Sequence, residues 1–212
     1  SGNFADVDVG DTLSYAATGM PSTLTMSTSG TISGTPVNAD VGTHTIIVTA
    51  TDSSSAAATA SDTYILTVTN TNDAPTATAI SDASTAEDAA YSLDVSGNFA
   101  DVDVGDTLSY AATGMPSTLS MSTSGTISGT PVNADVGAHT IIVTATDSSS
   151  AAATASDTFV LTVTNTNDAP TVSSAISDAS TAEDSAYSLD ISSNFADSDV
   201  GDSLSFTASG LP

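Results

Sequence analysis

The chain has 212 residues, 25 acidic side chains and no lysine or arginine, so its formal charge is −25 at pH 7. Because no such cationic side chain is available to neutralise phosphate, nucleic acid and anionic membrane surfaces are poor partners. The absence of cysteine excludes a disulfide scaffold and a thiolate metal site, and no apolar run reaches the roughly 18 residues of a membrane-spanning helix.

One long segment occurs three times in the chain. The stretch SGNFADVDVGDTLSYAATGMPSTL begins at Ser1 and returns unchanged at Ser96, and a diverged copy begins at Ser192. The resulting period of 95 to 96 residues is the size of one small domain. The predicted domains are the C-terminal part of one repeat with its linker (1–72), one complete repeat (73–167), and the N-terminal part of a third repeat (168–212).

Taken in chain order, the complete repeat begins with short runs of strand-forming residues separated by Gly, Pro, Asn and Asp. These runs predict strands at 89–95, 107–112, 117–121 and 126–128. Two longer runs follow, and both alternate with a period of two residues. The residues that share the inward face of these two runs are His139, Ile141, Val143 and Ala145 in the first, and Phe159, Leu161 and Val163 in the second.

The alanine-rich segments at 53–61 and 148–156 have no apolar stripe, so we predict loops between strands there rather than helices. About seven short strands in a repeat of this length is typical of an immunoglobulin-like sandwich. The predicted fold class is therefore all-β, with immunoglobulin-like or cadherin-like Greek-key β-sandwiches in tandem, arranged end to end.

Acidic residues concentrate where the predicted strands end. In chain order, Glu87 lies in TAED, Asp101, Asp103 and Asp106 lie in the turn-rich loop FADVDVGD, and Asp147 ends a long strand. Two carboxylates about 5 Å apart repel by roughly 3 kcal/mol at an effective dielectric constant near 20, so a group of them needs a cation. Carboxylate and carbonyl oxygens in a chain without cysteine suit calcium better than zinc or copper.

At these residues the sequence resembles the bacterial cadherin-like repeats of large secreted surface proteins, particularly the dystroglycan-type cadherin-like or "putative Ig" subgroup. The strand signature G-x-Y-x-L-x-V-x-A-x-D is matched by GAHTIIVTATD, with His139 in the aromatic place. The D-x-D loop is matched by Asp101 and Asp103, the family glutamate by Glu87, and the linker D-x-N-D-N-x-P by NTNDAP. The segment GMPSTLSMSTSGTISGTP is similar to the subgroup segment that ends in G-x-I-S-G-T-P.

The resemblance implies calcium ions where consecutive repeats meet. The implied ligands belong to the linkers, the D-x-D loops, the strand ends and the two glutamates, and they are Asp6, Asp8, Asp52, Asn72, Asp73, Glu87, Asp101, Asp103, Asp147, Asn167, Asp168, Glu183, Asp197 and Asp199. The linker is one residue shorter than the family pattern and begins with Asn, and no D-x-E partner motif is evident. We therefore expect fewer ions at each junction than in animal cadherins.

Simpler explanations stay open for some of these residues. Asp and Asn also form turns through local hydrogen bonds, so the acids could be turn formers rather than ligands. His44 and His139 fall on the inward face of a strand, which favours a core position over metal binding. No nucleophile elbow or oxyanion loop accompanies the many serines, so we predict that the chain is not an enzyme.

The main functional hypothesis is a calcium-stiffened spacer in an extracellular adhesin or cell-surface filament, with the neighbouring repeats of the same chain as its partners. One alternative is a carbohydrate-binding module for a surface glycan, although a chain with no tryptophan and few aromatic residues supplies a sugar-stacking surface poorly. The other alternative is a sheath or fibre in which copies exchange strands between chains.

Overall fold

The computed structural model describes residues 3–199 and 201–211, so the outermost residues of the first and third predicted repeats lie outside the described part. The chain divides into two compact units. The first contains Ser1–Pro75, Asp101–Thr107 and Asp147–Ala153, and the second contains Thr76–Ala100, Leu108–Thr146 and Thr154–Pro212. The first unit therefore combines the first predicted repeat with two loops of the complete repeat.

The first unit is built on an antiparallel sheet. Its strands in chain order are β1 (Ser14–Thr18), β2 (Thr25–Met26), β3 (Ile32–Ser33), β4 (Gly42–Thr51) and β5 (Thr59–Val68). Strand β4 lies between β1 and β5, and β2 and β3 form a separate two-stranded hairpin. A 3-10 turn at Asn38–Asp40 precedes β4.

The second unit carries the strands of the complete repeat and the described part of the third. Its strands are β6 (Thr76–Ala77), β7 (Ala83–Ala86), β8 (Tyr91–Asp94), β9 (Phe99–Ala100), β10 (Ser109–Thr113), β11 (Leu119–Met121), β12 (Thr126–Gly129), β13 (Gly137–Thr146), β14 (Thr154–Thr164), β15 (Thr171–Val172) and β16 (Phe195–Ala196). One sheet has the order β10-β13-β14-β7 and the other has the order β11-β12-β8. The short strands form the pairs β6-β9 and β15-β16.

The core of the complete repeat forms between these two sheets, because side chains alternate between the two faces of each strand. Ile141, Val143, Phe159 and Leu161 are each at most 1% exposed, and Ile141 lies opposite Phe159 in the register of β13 and β14. Ile127 of the second sheet joins the same buried cluster. The predicted inward faces are thus confirmed in the complete repeat.

Two local features differ from the sequence expectations. Strand β7, with the sequence ASTA, runs parallel to the end of β14 and was not predicted, because it has no alternation of large apolar and polar residues. The predicted loop at 148–156 ends at Ala153, because Thr154 and Ser156 pair with Thr146 and Thr144 and so extend β14. Strand β5 likewise begins at Thr59, inside the predicted loop at 53–61.

The all-β fold class is confirmed. In residues 3–199 and 201–211, the helical elements are 3-10 turns of three residues each, at Asn38–Asp40, Ser96–Asn98, Asn133–Asp135 and Ser192–Asn194. No helix in that part of the chain has the length and apolar character needed to cross a membrane.

Candidate metal centre

Six oxygen-bearing residues from three segments form a group that we name the first acidic cluster. They are Asn72, Asp73, Asp101, Asp103, Asp106 and Asp147. Asn72 and Asp73 belong to the linker, the next three residues belong to the loop between β9 and β10, and Asp147 directly follows β13. All six lie within the first compact unit.

The loop between β9 and β10 brings its three carboxylates together. The backbone N–H of Asp103 donates to Asp101 Oδ1 at 2.9 Å, and the N–H of Asp106 donates to the carbonyl oxygen of Asp103 at 3.3 Å. Gly105 has a φ of +99°, a backbone conformation that residues other than glycine adopt only at a cost. At this glycine the chain turns back toward Asp101 and Asp103. One carboxylate oxygen of each aspartate consequently lies within 4.8 Å of the other two.

Hydrogen bonds tie the linker to this loop and to the end of β13. The N–H of Asp73 donates to Asp103 Oδ2 at 2.7 Å, and Asn72 Nδ2 donates to Asp147 Oδ2 at 3.0 Å. The bond from Asn72 is the main reason that the pKa of Asp147 lies below its ordinary value. Burial opposes that shift, and bonds from Ser149 and from the N–H of Ala153 add to it. Asp147 is therefore ionised at neutral pH.

Four oxygens of the first acidic cluster are buried and have no hydrogen-bond partner. They are Asn72 Oδ1, Asp101 Oδ2, Asp103 Oδ1 and Asp106 Oδ2. Asp103 is only 5% exposed, so water reaches its side chain poorly. A buried acceptor left without a partner costs about 1–3 kcal/mol, and more when it is charged. The protein supplies the acceptors of a cation site here without supplying the donors that would make the group stable alone.

The donor set of this cluster fits calcium. Two carboxylates 4.8 Å apart repel by about 3.5 kcal/mol at an effective dielectric constant near 20. The chain has no lysine or arginine that could compensate. All the available ligands are hard carboxylate and amide oxygens, which calcium prefers, whereas zinc and copper favour thiolate and imidazole. The residues of the cluster therefore fit a divalent hard cation.

A second acidic cluster has the same construction and lies within the second compact unit. It consists of Asn167, Asp168, Asp197, Asp199 and Asp202. The N–H of Asp168 donates to Asp199 Oδ2 at 2.8 Å, and the N–H of Asp199 donates to Asp197 Oδ1 at 3.0 Å. Carboxylate oxygens of Asp197, Asp199 and Asp202 also lie within 4.8 Å of one another.

The two acidic clusters differ in the hydrogen bonds and in the burial of their oxygens. Ser198 Oγ donates to Asp168 Oδ2 at 3.0 Å, and Asn133 Nδ2 donates to Asp199 Oδ1 at 3.3 Å. In the first cluster, Val102 stands where the second has Ser198, and Asp103 Oδ1 has no partner. Within residues 3–199 and 201–211, Asn133 Oδ1 is a buried oxygen without a partner near the second cluster, and Asp202 is exposed to solvent. A bound cation would consequently replace more missing contacts at the first cluster, where four oxygens are buried without partners.

The two glutamates that the resemblance implied as ligands lie in different surroundings. Glu87 is 2% exposed, its Oε1 accepts the N–H of Thr166 at 2.8 Å, and its Oε2 is buried without a partner. Thr166 directly precedes Asn167 in sequence, although among the described residues no hydrogen bond joins Glu87 to the acids of the second cluster. Glu183 is exposed to solvent.

The predicted ligands of the first repeat are more open. Asp6 and Asp8 are exposed, and together with Asp11 they place carboxylate oxygens within 4.8 Å of one another. Asp52 Oδ1 accepts hydrogen bonds from Ser54 and from the N–H of Ala58, as expected of a turn-forming aspartate. This part of the chain therefore reproduces the loop geometry without the burial.

The ligands expected from the sequence did not include two kinds of residue that the structure brings to the clusters. Asp106 and its counterpart Asp202 were seen as loop residues, and only the turn at Gly105 shows that Asp106 reaches the same place as Asp103. Asn133 lies in a 3-10 turn 66 positions from Asp199, and its counterpart Asn38 donates to Asp73 Oδ2 at 2.9 Å. No local pattern could indicate the contact of either asparagine, because it depends on tertiary folding.

A different kind of buried acid lies in the 3-10 turns. Asp135 is 4% exposed, and its carboxylate accepts the N–H and hydroxyl of Ser117, the hydroxyl of Thr118 and the N–H of Val132 at 2.6 to 3.3 Å. Burial raises the pKa of Asp135, but these bonds together outweigh it and hold the pKa below its ordinary value. His139 is half-buried, with Nε2 2.7 Å from the Asp135 carbonyl oxygen, so both residues serve the fold.

Comparison with known protein families gives a match over most of the chain. The family described as "Putative Ig domain" matches residues 1–69 and 74–164. The chain belongs to this family. The two matched segments correspond to the first predicted repeat and to the complete repeat, so the chain carries immunoglobulin-like repeats in tandem. No curated protein sequence matches the chain.

Solved structures of cadherin repeats are similar in fold. Human mucin-like protocadherin EC1-2 matches with 18% identity over 76% of this chain and 87% of its own, with a TM-score of 0.55. Mouse cadherin-23 EC22-24 has 18% identity, coverage of 76% and 57%, and a TM-score of 0.52. Drosophila N-cadherin EC1-4 has 21% identity, coverage of 72% and 41%, and a TM-score of 0.50.

The similarity to these proteins is one of fold. The chain spans 41% of the Drosophila structure and 29% of a protocadherin gammaB4 extracellular domain, which is less than two thirds of either. The matches nevertheless agree with the all-β architecture found here. They confirm the cadherin-like and immunoglobulin-like fold that the resemblance implied.

Proposed function

We propose that this chain is a non-enzymatic, calcium-stiffened spacer of an extracellular adhesin or cell-surface filament. The observation that carries the proposal is the set of four buried oxygens without partners in the first acidic cluster. Membership of an immunoglobulin-like family and the fold shared with the extracellular repeats of cadherins support the same function. The formal charge of −25 also attracts cations to the chain.

The residues that would hold calcium come from both the linker and the following repeat. Asp101, Asp103 and Asp106 would supply carboxylate oxygens, and Asn72 would supply an amide oxygen. Asp147 already binds the linker through Asn72 and adds a further negative charge. The ion, when bound, supplies the positive charge that these oxygens do not find in the protein. The linker and the loop would then coordinate the same ion, which would restrict rotation between them.

The sandwich itself does not need the ion. The core of the complete repeat consists of residues such as Ile141, Phe159 and Leu161, and the acidic cluster takes no part in it. Removing calcium should therefore leave each domain folded while the carboxylates of the cluster repel one another. The linker, with Pro75 as its most restrained residue, would then act as a hinge.

The test is small-angle scattering on the monomer fraction eluting from a size-exclusion column, with calcium, with chelator, and with chelator plus high sodium chloride. We expect calcium to narrow the distribution of molecular dimensions and chelation to broaden it. Adding sodium chloride in chelator should narrow the distribution only in part, because screening weakens the repulsion between carboxylates but does not coordinate them as a bound ion does. Full restoration by sodium chloride would mean that the acids form a general charge cloud, and the proposal would be withdrawn.

A pair of variants with the same change in charge makes this test specific. Asp103→Asn removes a buried ligand of the first acidic cluster, whereas Asp178→Asn removes an exposed carboxylate outside both clusters. The response to calcium should decrease in the first variant and persist in the second. Equal responses would contradict the assignment of the ligands.

A further inference from the structure

The larger sheet of the complete repeat has an outward face without a charged side chain. The outward positions of β10, β13, β14 and β7 carry threonine, serine, alanine, isoleucine and valine, and all of these side chains are neutral. We name this surface the uncharged face. The other sheet differs, because the outward side of β8 carries Asp94, opposite Thr126 of β12. The acids of the repeat are therefore distributed unevenly over its two sheets.

The low strand propensity of aspartate does not by itself account for this face. Aspartate is depleted in strands in general. It nevertheless occurs inside two strands of the same repeat, as Asp94 in β8 and Asp157 in β14. Asp157 lies on the inner side of β14, where its Oδ2 accepts the N–H of Ile80 at 2.6 Å. Strands of this repeat thus accommodate acids, and the outward side of the larger sheet carries none.

An aliphatic side chain lies at the centre of the uncharged face. Ile142 belongs to β13, an inner strand of the sheet, and it pairs with Thr113 of β10 and with Thr158 of β14. It is 43% exposed. A single exposed isoleucine is ordinary, but the methyl groups of the threonines on both sides extend the apolar surface here. Removing such surface from water favours association.

Hydroxyl groups of the uncharged face form hydrogen bonds within the sheet. Thr144 Oγ1 and Ser156 Oγ lie 2.8 Å apart on neighbouring strands, and Thr164 Oγ1 donates to the carbonyl oxygen of Thr85 at 3.3 Å. Burying a hydroxyl costs less when its hydrogen bond is kept. This face can therefore lose its water at a lower cost than a surface of solvated carboxylates.

The first repeat has the same uncharged face. The outward positions of β1, β4 and β5 are identical to those of β10, β13 and β14 except for Thr43 and Ile65, which are also neutral. Ile47, the counterpart of Ile142, is likewise 43% exposed. The uncharged face is thus a property of the repeat and is present in each of the two compact units.

The charge of the chain favours this face for contact between copies. Two chains with a formal charge of −25 repel each other. When two uncharged faces meet, acids such as Asp94 lie behind the thickness of a sandwich. Stacked sheets are about 10 Å apart and the Debye length at physiological ionic strength is about 8 Å, so the repulsion from these acids is largely screened. Acids at the border, such as Asp82 beside β14 and Asp147 after β13, still oppose the contact.

We propose that the uncharged faces of two copies of this chain pack against each other. Both copies then use the same patch, which makes the contact isologous. Two stacked sheets align their strands within about 30°, and Ile142 at the centre of one face would lie near Ile142 of the other. The contact excludes water from the threonine methyl groups and leaves the acidic clusters outside. It therefore does not require calcium, and it goes beyond the proposed function of a spacer.

The area of the contact determines its strength. Strands β13 and β14 have 10 and 11 residues, and β10 and β7 extend the sheet on either side. At about 3.4 Å per residue and about 4.8 Å per strand, the four strands cover roughly 500 Å². Two such faces together bury about 1,000 Å², which is near the lower limit for specific interfaces. A single contact is therefore weak, and several repeats acting together would strengthen it.

Sedimentation velocity in chelator, which removes any effect of calcium, tests the proposal. At high sodium chloride the weight-average mass of the wild-type chain should rise with protein concentration. Lowering the salt should reduce that rise, because the acids at the border of the face then repel more strongly. A wild-type chain that stays monomeric at millimolar concentration and high salt would overturn the proposal.

Two double variants with the same change in charge locate the contact. Ile47→Asp combined with Ile142→Asp places a carboxylate at the centre of both uncharged faces. It should weaken association at least about tenfold, because like charges would then face each other across the contact. Ser33→Asp combined with Ser128→Asp adds the same charge to exposed outward positions of the other sheet and should leave association unchanged. Equal behaviour of the two double variants would overturn the assignment to the uncharged face.

Cysteine trapping provides a second measurement that adds no charge to the face. Thr158 is exposed and lies beside Ile142, and the chain has no cysteine of its own. Under oxidising conditions, chains carrying Thr158→Cys should form covalent dimers several-fold faster than chains carrying Ser128→Cys, because isologous packing brings the two cysteines of the face together. An excess of the cysteine-free chain should slow only the first reaction. Equal rates for the two cysteine variants would refute face-to-face packing.

Discussion

Asp103 and Asp135 are both buried aspartates of the same repeat, and they differ in what surrounds their carboxylates. Asp135 is 4% exposed and accepts hydrogen bonds from Ser117, Thr118 and Val132. Asp103 is 5% exposed, its Oδ2 accepts one N–H, and its Oδ1 has no partner. The two carboxylates are therefore almost equally buried, but only that of Asp135 has hydrogen-bond donors for both of its oxygens.

The difference separates a structural acid from a candidate ligand. The turn at Asn133–Asp135 provides Asp135 with enough donors to keep it ionised, so the carboxylate holds two segments together unaided. Asp103 instead lies beside Asp101 and Asp106, and its unpaired oxygen is free to accept a cation under the proposed function. Burial of an acid alone therefore gives weaker support for a metal site than burial without donors does.

The largest expected effect is that of calcium on the unit that contains the first acidic cluster. At a free calcium concentration of 100 times Kd, one site adds about 2.7 kcal/mol to the free energy of unfolding. Asp103→Asn should weaken binding at least about tenfold and so remove about half of that gain, because it deletes a charge and a hard oxygen. Calorimetric titration gives the affinity, and thermal unfolding gives the stability.

Without calcium, Asp103→Asn should be neutral or slightly stabilising, because the amide oxygen can still accept the N–H of Asp73 while one repelling charge is lost. A large loss of stability in chelator would show that Asp103 is a structural residue like Asp135. An unchanged calcium affinity would remove it from the ligand set.

The next largest effect is the loss in free energy of unfolding caused by Asp135→Asn, and this loss should not depend on calcium. An amide offers one acceptor oxygen, so its NH₂ group would face either Val132 and Thr118 or the two donors of Ser117. Leaving such donors unpaired should cost about 1–3 kcal/mol. Urea unfolding in calcium and in chelator should give the same loss, and a loss confined to calcium would contradict the structural role.

Lowering the pH should destabilise the protein in a defined range by protonating the hydrogen-bonded aspartates. Hydrogen bonds hold the pKa values of Asp135 and Asp147 below their ordinary value of 3.8, so their stabilisation is complete well above pH 3.8 and is lost as pH falls through the lowered values. In chelator, stability should therefore fall steeply as pH is lowered past 3.8. Asp135→Asn should make the fall shallower, and a variant with the wild-type slope would show that Asp135 does not contribute.

The smallest expected effect concerns the difference between the two acidic clusters. Ser198→Val removes the hydroxyl that donates to Asp168 Oδ2 and makes the second cluster resemble the first. Calcium affinity at the second cluster should rise by roughly two- to fivefold, the equivalent of one neutral hydrogen bond. Val102→Ser should lower affinity at the first cluster by a similar factor. Changes in the same direction in both variants would refute the competition between hydroxyl and cation.

The strands and core of the complete repeat could largely be predicted from the sequence. The period of two in β13 and β14 places Ile141, Val143 and Phe159 on inward faces because strand geometry alone determines that alternation. Strand β7 could not be found in the same way, since ASTA carries no apolar pattern and its position depends on pairing with β14.

The acids could be placed near one another from motif spacing, but their state could not. The sequence shows Asp103 and Asp135 as similar loop aspartates, and only tertiary contacts distinguish the one with donors from the one without. The contact of Asn133 with Asp199 likewise joins residues 66 positions apart. Which acids keep unpaired oxygens is therefore a property of packing, whereas the presence of an acidic loop is a property of the sequence.

The parallel pairing of β7 with β14 also has a mechanical consequence. β7 lies near the start of the complete repeat and β14 at its end, and four residue pairs join them, from Ala83 opposite Leu161 to Ala86 opposite Thr164. Tension that pulls the beginning of β7 and the end of β14 in opposite directions acts along both strands. The four pairs must then slide past each other together, whereas an antiparallel hairpin pulled at its open end separates one pair at a time. A load transmitted from linker to linker therefore meets the repeat in shear, the direction in which its hydrogen bonds act collectively.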